Sequence, residues 1–176
     1  LLLHARQQFT EGDVLHWWHP PTGRGIRSNI TDDRLWLPYV LDFYVHATGD
    51  WDILSAPVSY IKARPLDASE HEAYLQPEVL EQTGTLYEHA CKALDISLKF
   101  GAHGLPLMGG GDWNDGMNRV GEAGLGESVW LGFFLYDNLV RFSKICLRME
   151  DPLRAAHYST VAAALKTSLN ERGWDG

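Results

Sequence analysis

What this sequence has little of narrows it first. Only two of its 176 residues are cysteine, Cys91 and Cys146. Their spacing fits no metal pair, and a disulfide framework is not expected, so a reducing compartment suits the chain. Positive charge is scarce: Lys+Arg is 15 against Asp+Glu 23, a formal net charge of −8. A nucleic-acid binder or a protein that clings to anionic lipid needs a basic face, and neither nucleic acid nor direct membrane contact is expected. Long apolar runs are missing too. The longest, Val129 to Leu135, falls far short of a membrane span and is followed by Asp137. Leu1-Leu2-Leu3-His4-Ala5-Arg6 lacks the basic lead and apolar core of a signal peptide. No glycine-rich stretch continues into Gly-Lys-Ser/Thr, and there is no Gly-x-Ser-x-Gly elbow. A nucleotide P-loop is thereby excluded.

What is present is an ordinary globular composition, 45% hydrophobic and 22% charged. A chain of this length buries about 70% of its unfolded surface, enough for a core. Aromatic residues stand out, with seven Trp and seven Tyr. Aromatic rings beside carboxylates and arginines suit sugars, which offer C–H faces for stacking and a rim of hydroxyls. For any single Trp, core filling is the competing reading.

The expected elements are helices separated by Gly-rich or polar loops. Thr31-Asp32-Asp33 reads as a helix start, with Thr as cap and acids in the first turn. Trp36, Leu37, Val40, Leu41, Tyr44 and Val45 follow at helical spacing, and Thr48-Gly49 ends the run. Pro38 either opens this helix or kinks it. Residues 62–80 read as a surface loop. Thr85-Leu86-Tyr87-Glu88 is a capping box, and Tyr87, Cys91, Leu94 and Leu98 mark one apolar face. Residues 101–126 hold nine of the 17 glycines, and so long a loop in a compact domain is usually functional. Ser128 to Met149 reads as a long amphipathic helix, and Asp151-Pro152 caps another running to Arg172. No segment alternates with period two. The expected class is therefore all-α, antiparallel helices with long loops.

Two segments carry chemistry. In residues 11–33, Arg24, Arg27, Asp32 and Asp33 sit on a loop running into a helix N-terminus. Paired Arg and Asp hold adjacent hydroxyls in bidentate fashion; equally, Arg27 and Asp33 read as a structural ion pair. His16 and His19 are three apart, with no matched third ligand, so no metal is expected. The second segment is Gly109-Gly110-Gly111-Asp112-Trp113-Asn114-Asp115-Gly116-Met117-Asn118-Arg119. Glycine lets backbone approach a ligand closely, and a carboxyl beside an aromatic ring is suited to act as a general acid. An Asx-rich turn is the alternative.

At these segments the sequence resembles glycoside hydrolase family 94, the inverting glycoside phosphorylases, with particular likeness to the phosphorylase-like domain of cyclic β-1,2-glucan synthases. The stretches that carry it are His16-Trp17-Trp18-His19-Pro20-Pro21-Thr22-Gly23-Arg24-Gly25, Asp32-Asp33-Arg34-Leu35-Trp36-Leu37-Pro38-Tyr39, Gly104-Leu105-Pro106-Leu107, Gly111-Asp112-Trp113-Asn114-Asp115-Gly116-Met117-Asn118 and Gly126-Glu127-Ser128-Val129-Trp130-Leu131. The resemblance implies a partial (α/α)6 barrel, with residues 1–176 a fragment of a larger catalytic domain whose remainder is its partner. It implies Asp115 as general acid and Trp113 in the sugar site. It places the transferred glycosyl unit on Arg27 with Asp33 or Asp32, which the sequence does not separate. Asp112, Asn114, Arg24, His16 and Trp17 join them as expected substrate contacts. The implied reaction needs no cofactor; inorganic phosphate is co-substrate to a β-linked glucose oligosaccharide, on the cytoplasmic side. An inverting hydrolase using Asp112 as base, and a non-catalytic glucan-binding domain, are the alternatives.

Overall fold

A computed structural model describes residues 1–174, the side chain of Asp115 excepted. The chain divides into two compact units, Leu1–Ile96 and Ser97–Gly176.

In the first unit a short helix α1 (Leu2–Ala5) precedes strands β1 (Leu15–His19) and β2 (Arg24–Ser28). They form an antiparallel hairpin, and β4 (Glu72–Leu75) pairs with the other edge of β2, giving the order β1-β2-β4. The strands must close tightly at residue 25: a Cβ there would stand 2.2 Å from the Trp17 carbonyl oxygen, so only glycine fits. A second ribbon pairs β3 (Pro57–Lys62) with β5 (Glu78–Thr85). Phe9, Leu15 and Ile61 form a buried cluster beneath the strands, with Trp18 and Ala63 packed against it. Helices α2 (Trp36–Thr48) and α3 (Leu86–Ser97) complete the unit.

The helices start for identifiable reasons. Glu88 Oε2 accepts from Thr85 N at 2.7 Å while Thr85 Oγ1 accepts from Glu88 N at 3.1 Å, so the expected capping box forms at α3. At α2 the expected Thr31 cap does not form. Asp32–Arg34 makes a 3-10 turn and the α-helix begins at Trp36. Pro38 thus lies in the first helical turn, where its missing N–H is not needed, and it opens the helix without kinking it.

In the second unit, α4 (Val129–Arg148) and α5 (Pro152–Arg172) make an antiparallel hairpin. Ser128 caps the first by accepting from Leu131 N, and Asp151 caps the second by accepting from Arg154 N. Tyr158, Phe142, Leu135 and Leu139 are among the side chains it buries.

The all-α expectation, and the partial (α/α)6 barrel with it, is corrected. The structure is 46% helix and 22% strand with two antiparallel sheets, a mixed α/β fold. The strands escaped a period-two search for physical reasons. The central strand β2 buries four consecutive residues, Gly25, Ile26, Arg27 and Ser28, two of them polar. β1 carries a bulge between Leu15 and Trp17, which breaks its alternation. β5 is mostly exposed and polar, and β4 and the start of β5 fall within the stretch read as a loop over 62–80. These strands are held by their ladders and by neighbours distant in sequence, which local patterning does not report.

Candidate active site

In the first unit the β1 bulge falls at His16 and turns its side chain toward the 3-10 turn. His16 Nδ1 lies 3.1 and 3.0 Å from the two carboxylate oxygens of Asp33. Burial pushes Asp33 up from 3.8 to about 6; the hydrogen bond and charge of His16 pull the other way and do not overcome it. Asp33 is thus a carboxyl able to change protonation near neutrality. Asp32, its neighbour, is buried and accepts from Trp36 Nε1 at 3.0 Å. The structure therefore separates the two acids that the sequence left joined. Arg34 lies beside this pair, its guanidinium pKa lowered by burial against the attraction of Asp13 and Asp33.

Arg27 points elsewhere. It is 4% exposed and pairs with Asp13, not Asp33. Its Nε and NH2 donate to the two Asp13 oxygens at 2.6 and 2.8 Å, while NH1 donates to the carbonyls of Ala63 and Arg64 at 3.3 and 3.0 Å. The guanidinium lies 3.9 Å from the Phe9 ring centroid. NH2 also lies 3.5 Å from Glu11 Oε2, and the guanidinium ties β2 to the turn at residues 9–13 and to the chain beyond β3.

On the exposed side of the three-stranded sheet, Trp17 and Tyr74 lie in register with Ile26 between them and cover it. Their ring centroids are 5.8 Å apart, and His19 stands edge-on to both. Arg24 lies over Tyr74 at 5.9 Å and donates to Gln76 Oε1. Trp17 and Arg24 were expected here; His19 and Tyr74 as their partners were not, because strand pairing alone brings Tyr74 across.

The second unit holds the Gly-rich loop. It is folded tightly on itself: Met108 N donates to Gly126 O, and a Cβ at Gly121 would stand 1.8 Å from Gly109 O. Asp112 is 5% exposed, and both its oxygens are engaged. Oδ2 accepts from Ser128 Oγ at 2.5 Å and Oδ1 from Asn114 N at 2.9 Å. Asn114 Oδ1 accepts from Gly116 N at 3.3 Å and caps the 3-10 turn Asp115–Met117. The turn is described; the Asp115 side chain, the expected general acid, lies outside the described part of the structure.

Trp113 is 66% exposed and stacks on Trp130 at the start of α4, ring centroids 6.3 Å apart and planes at 28°. Beside them is a cavity of about 360 Å³, lined by Asp112, Trp113, Asn114, Met117, Ser128 and Trp130 among others. Glu127 anchors the start of the loop by accepting from Leu105 N at 3.0 Å and from His103 N and Nδ1. Burial raises its pKa, but these hydrogen bonds outweigh burial and leave it lowered. Glu127, Ser128 and Trp130 lie in one of the stretches that carry the family resemblance, but they were not among the expected substrate contacts; their place directly before and within the first turn of α4 brings them to the cavity.

The expected site residues therefore fall into separate groups, two on the first unit and one on the second, with Arg27 apart from all of them on Asp13. His16, Asp33, Asp32 and the Trp17–Arg24 surface belong to the first unit, and Asp112, Trp113 and Asn114 to the second.

The chain is 46% identical over 177 residues to the cyclic beta-(1,2)-glucan synthase NdvB of Rhizobium meliloti, all of this chain and 6% of that protein. It is 29% identical over 174 residues to the solabiose phosphorylase of Paenibacillus borealis, 97% of this chain and 20% of that one. It is 32% identical over 147 residues to the cellobionic acid phosphorylase of Neurospora crassa, 83% of this chain and 16% of that one. The chain thus spans a fifth or less of these relatives. The model of the glycosyl hydrolase 94 superfamily catalytic domain matches residues 1–176 throughout, and the chain belongs to that family.

Proposed function

We propose that the protein carrying this chain moves glucosyl units between a β-linked glucan and inorganic phosphate, with inversion at the anomeric carbon. The observation that carries this reading is the cavity beside Trp113 and Trp130, lined by Asn114 and Met117, the residues that bracket the turn opened by Asp115. Two exposed indole faces present C–H-stacking surface to a sugar ring. Polar groups at the cavity wall meet its hydroxyls.

In this reading Asp115 is the general acid. It protonates the bridging oxygen as that bond breaks, and a phosphate oxygen attacks the anomeric carbon from the opposite face, giving an α-sugar 1-phosphate. An inverting hydrolase needs a second carboxylate free to activate water. Phosphate is already anionic and needs none. Asp112 has both oxygens occupied by Ser128 and Asn114, which supports phosphorolysis over water attack from that residue. Asp33, partnered by His16, is the carboxyl we assign to the glycosyl hydroxyls. Arg27 is assigned a structural part, anchoring β2 through Asp13.

The relatives' names, a glucan synthase and phosphorylases, support the same class of reaction. The test uses the full-length protein with β-1,2- and β-1,4-linked glucose oligomers, with and without phosphate. α-Glucose 1-phosphate formed only with phosphate is the expected result, and free glucose released equally well without phosphate would overturn it.

A further inference from the structure

A chain of hydrogen bonds runs behind the Gly-rich loop. It begins at the N-terminus of α4. Leu131 N donates to Ser128 Oγ at 3.0 Å, and the Ser128 hydroxyl, its one proton left for donation, gives it to Asp112 Oδ2 at 2.5 Å. Ser128 and Asp112 are 6% and 5% exposed, so the link is largely buried although both residues border the cavity. The chain continues from the other carboxylate oxygen, which accepts from Asn114 N at 2.9 Å. Asn114 Oδ1 then accepts from Gly116 N at 3.3 Å.

The consequence is geometric. The backbone amides of residues 114 and 116 flank residue 115, and both end on this chain. Met117 N, donating to Asn114 O at 3.1 Å, closes the turn between them. The backbone of residue 115 is thereby referred to the first turn of a 20-residue helix through fixed side chains, not left to a glycine-rich loop.

We propose that Asp112 and Ser128 are positioning residues that fix the backbone on either side of Asp115, and that Asp112 neither binds the sugar nor acts as a base. This rests on the reading of Asp115 as general acid. A carboxylate placed for such a role is useful because it accepts two hydrogen bonds in fixed directions at once, one from the helix cap and one from the loop.

The experiment compares Ser128→Gly, Ser128→Thr and Asp112→Asn in the full-length protein by steady-state kinetics in both directions. Glycine caps a helix nearly as well as serine, so Ser128→Gly leaves α4 in place while removing the donor to Asp112. Its kcat is expected to fall about 10- to 100-fold, as misplacement by an ångström would cause, with KM for the sugar within about threefold. Ser128→Thr keeps both hydrogen bonds and restores kcat to within about threefold. Asp112→Asn retains an acceptor on one side and a donor toward Ser128 Oγ on the other. Its kcat is expected to fall by no more than about tenfold, whereas loss of a chemical base costs about 100- to 10,000-fold.

Unchanged kcat in Ser128→Gly would overturn the proposal. So would a loss confined to KM, which would make Asp112 a ligand contact. A drop of a thousandfold or more in Asp112→Asn, with Ser128→Gly active, would make Asp112 a reacting group and overturn it too. If Ser128→Gly does not fold, Asp112→Asn alone decides on the same limits. Failure of the phosphorolysis reading is seen separately, in the wild type: bond cleavage without phosphate removes that reading, and the same variants ranked by hydrolysis rate still test the positioning.

Discussion

Removing the Arg27 guanidinium is the sharpest perturbation that the first unit offers. In Arg27→Ala, Asp13 loses two hydrogen bonds of 2.6 and 2.8 Å, the carbonyls of Ala63 and Arg64 lose their donor, and the fully buried Phe9 ring loses the cation lying 3.9 Å from its centroid. The Asp13 side chain is 18% exposed, so water recovers only part of its solvation. Breaking a buried ion pair by deleting one partner costs about 3–5 kcal/mol. Arg27→Lys keeps the charge but loses the two-pronged contact and most of the ring stacking. The readout is native-state hydrogen exchange in the full-length protein, followed at the amides of β2, of the turn at residues 9–13 and of β3. At about 1.4 kcal/mol per tenfold, exchange through opening of this unit should accelerate by about 100-fold or more in Arg27→Ala, with Arg27→Lys between it and the wild type. The amides of α4 and α5 should be unaffected. Protection within about threefold of wild type, with only sugar affinity lost, would refute this reasoning and make Arg27 a substrate contact free of structural duty.

Asp33→Asn should have a pH-dependent effect on stability. Burial raises the folded-state pKa to about 6 against 3.8, so the native state binds this proton more tightly than the unfolded chain does. The group's favourable contribution is present in full below about pH 4 and is lost as the pH rises through about 6. Relative to wild type, the variant should gain stability between pH 4 and 7.5, up to about 3 kcal/mol, read as slower exchange at β1 and β2. An equal difference at both pH values would contradict this. Gly121→Ala should disrupt the Gly-rich loop, since its Cβ would stand 1.8 Å from a backbone oxygen of Gly109 that has no rotamer to escape through. Loss of phosphorolysis with α4 and α5 still protected is expected; wild-type turnover would show the loop packs differently.

How much of this was legible beforehand depended on the range of the interaction. The capping box at Thr85–Glu88 and the Asp151-Pro152 start are local, written within four residues, and both are seen, while Ser128, read as the first residue of its helix, is its cap. The ends of α4 and α5 lie within about one residue of those expected. The sheets were not legible because their pairings join residues such as Ile26 and Tyr74, and because the buried polar strand residues Arg27 and Ser28 look like loop. The same distinction applies to the site. Residue types in the two motifs indicated sugar chemistry, but partners did not follow from them. Nothing local says that Arg27 belongs to Asp13, that a bulge aims His16 at Asp33, or that Asp112 is held by a helix cap sixteen residues on. Asp32 and Asp33 were inseparable in sequence and became distinct only through Trp36 and His16.

The general-acid role of Asp115 is the central claim, and Asp115→Asn in the full-length protein tests it most directly. Turnover should be measured in phosphorolysis and in synthesis from α-glucose 1-phosphate, alongside equilibrium binding of the glucan. A fall of about 100- to 10,000-fold in kcat in both directions, with glucan affinity within about threefold of wild type, is the expected result. Near-wild-type turnover, or a loss traced wholly to weaker glucan binding, would contradict it.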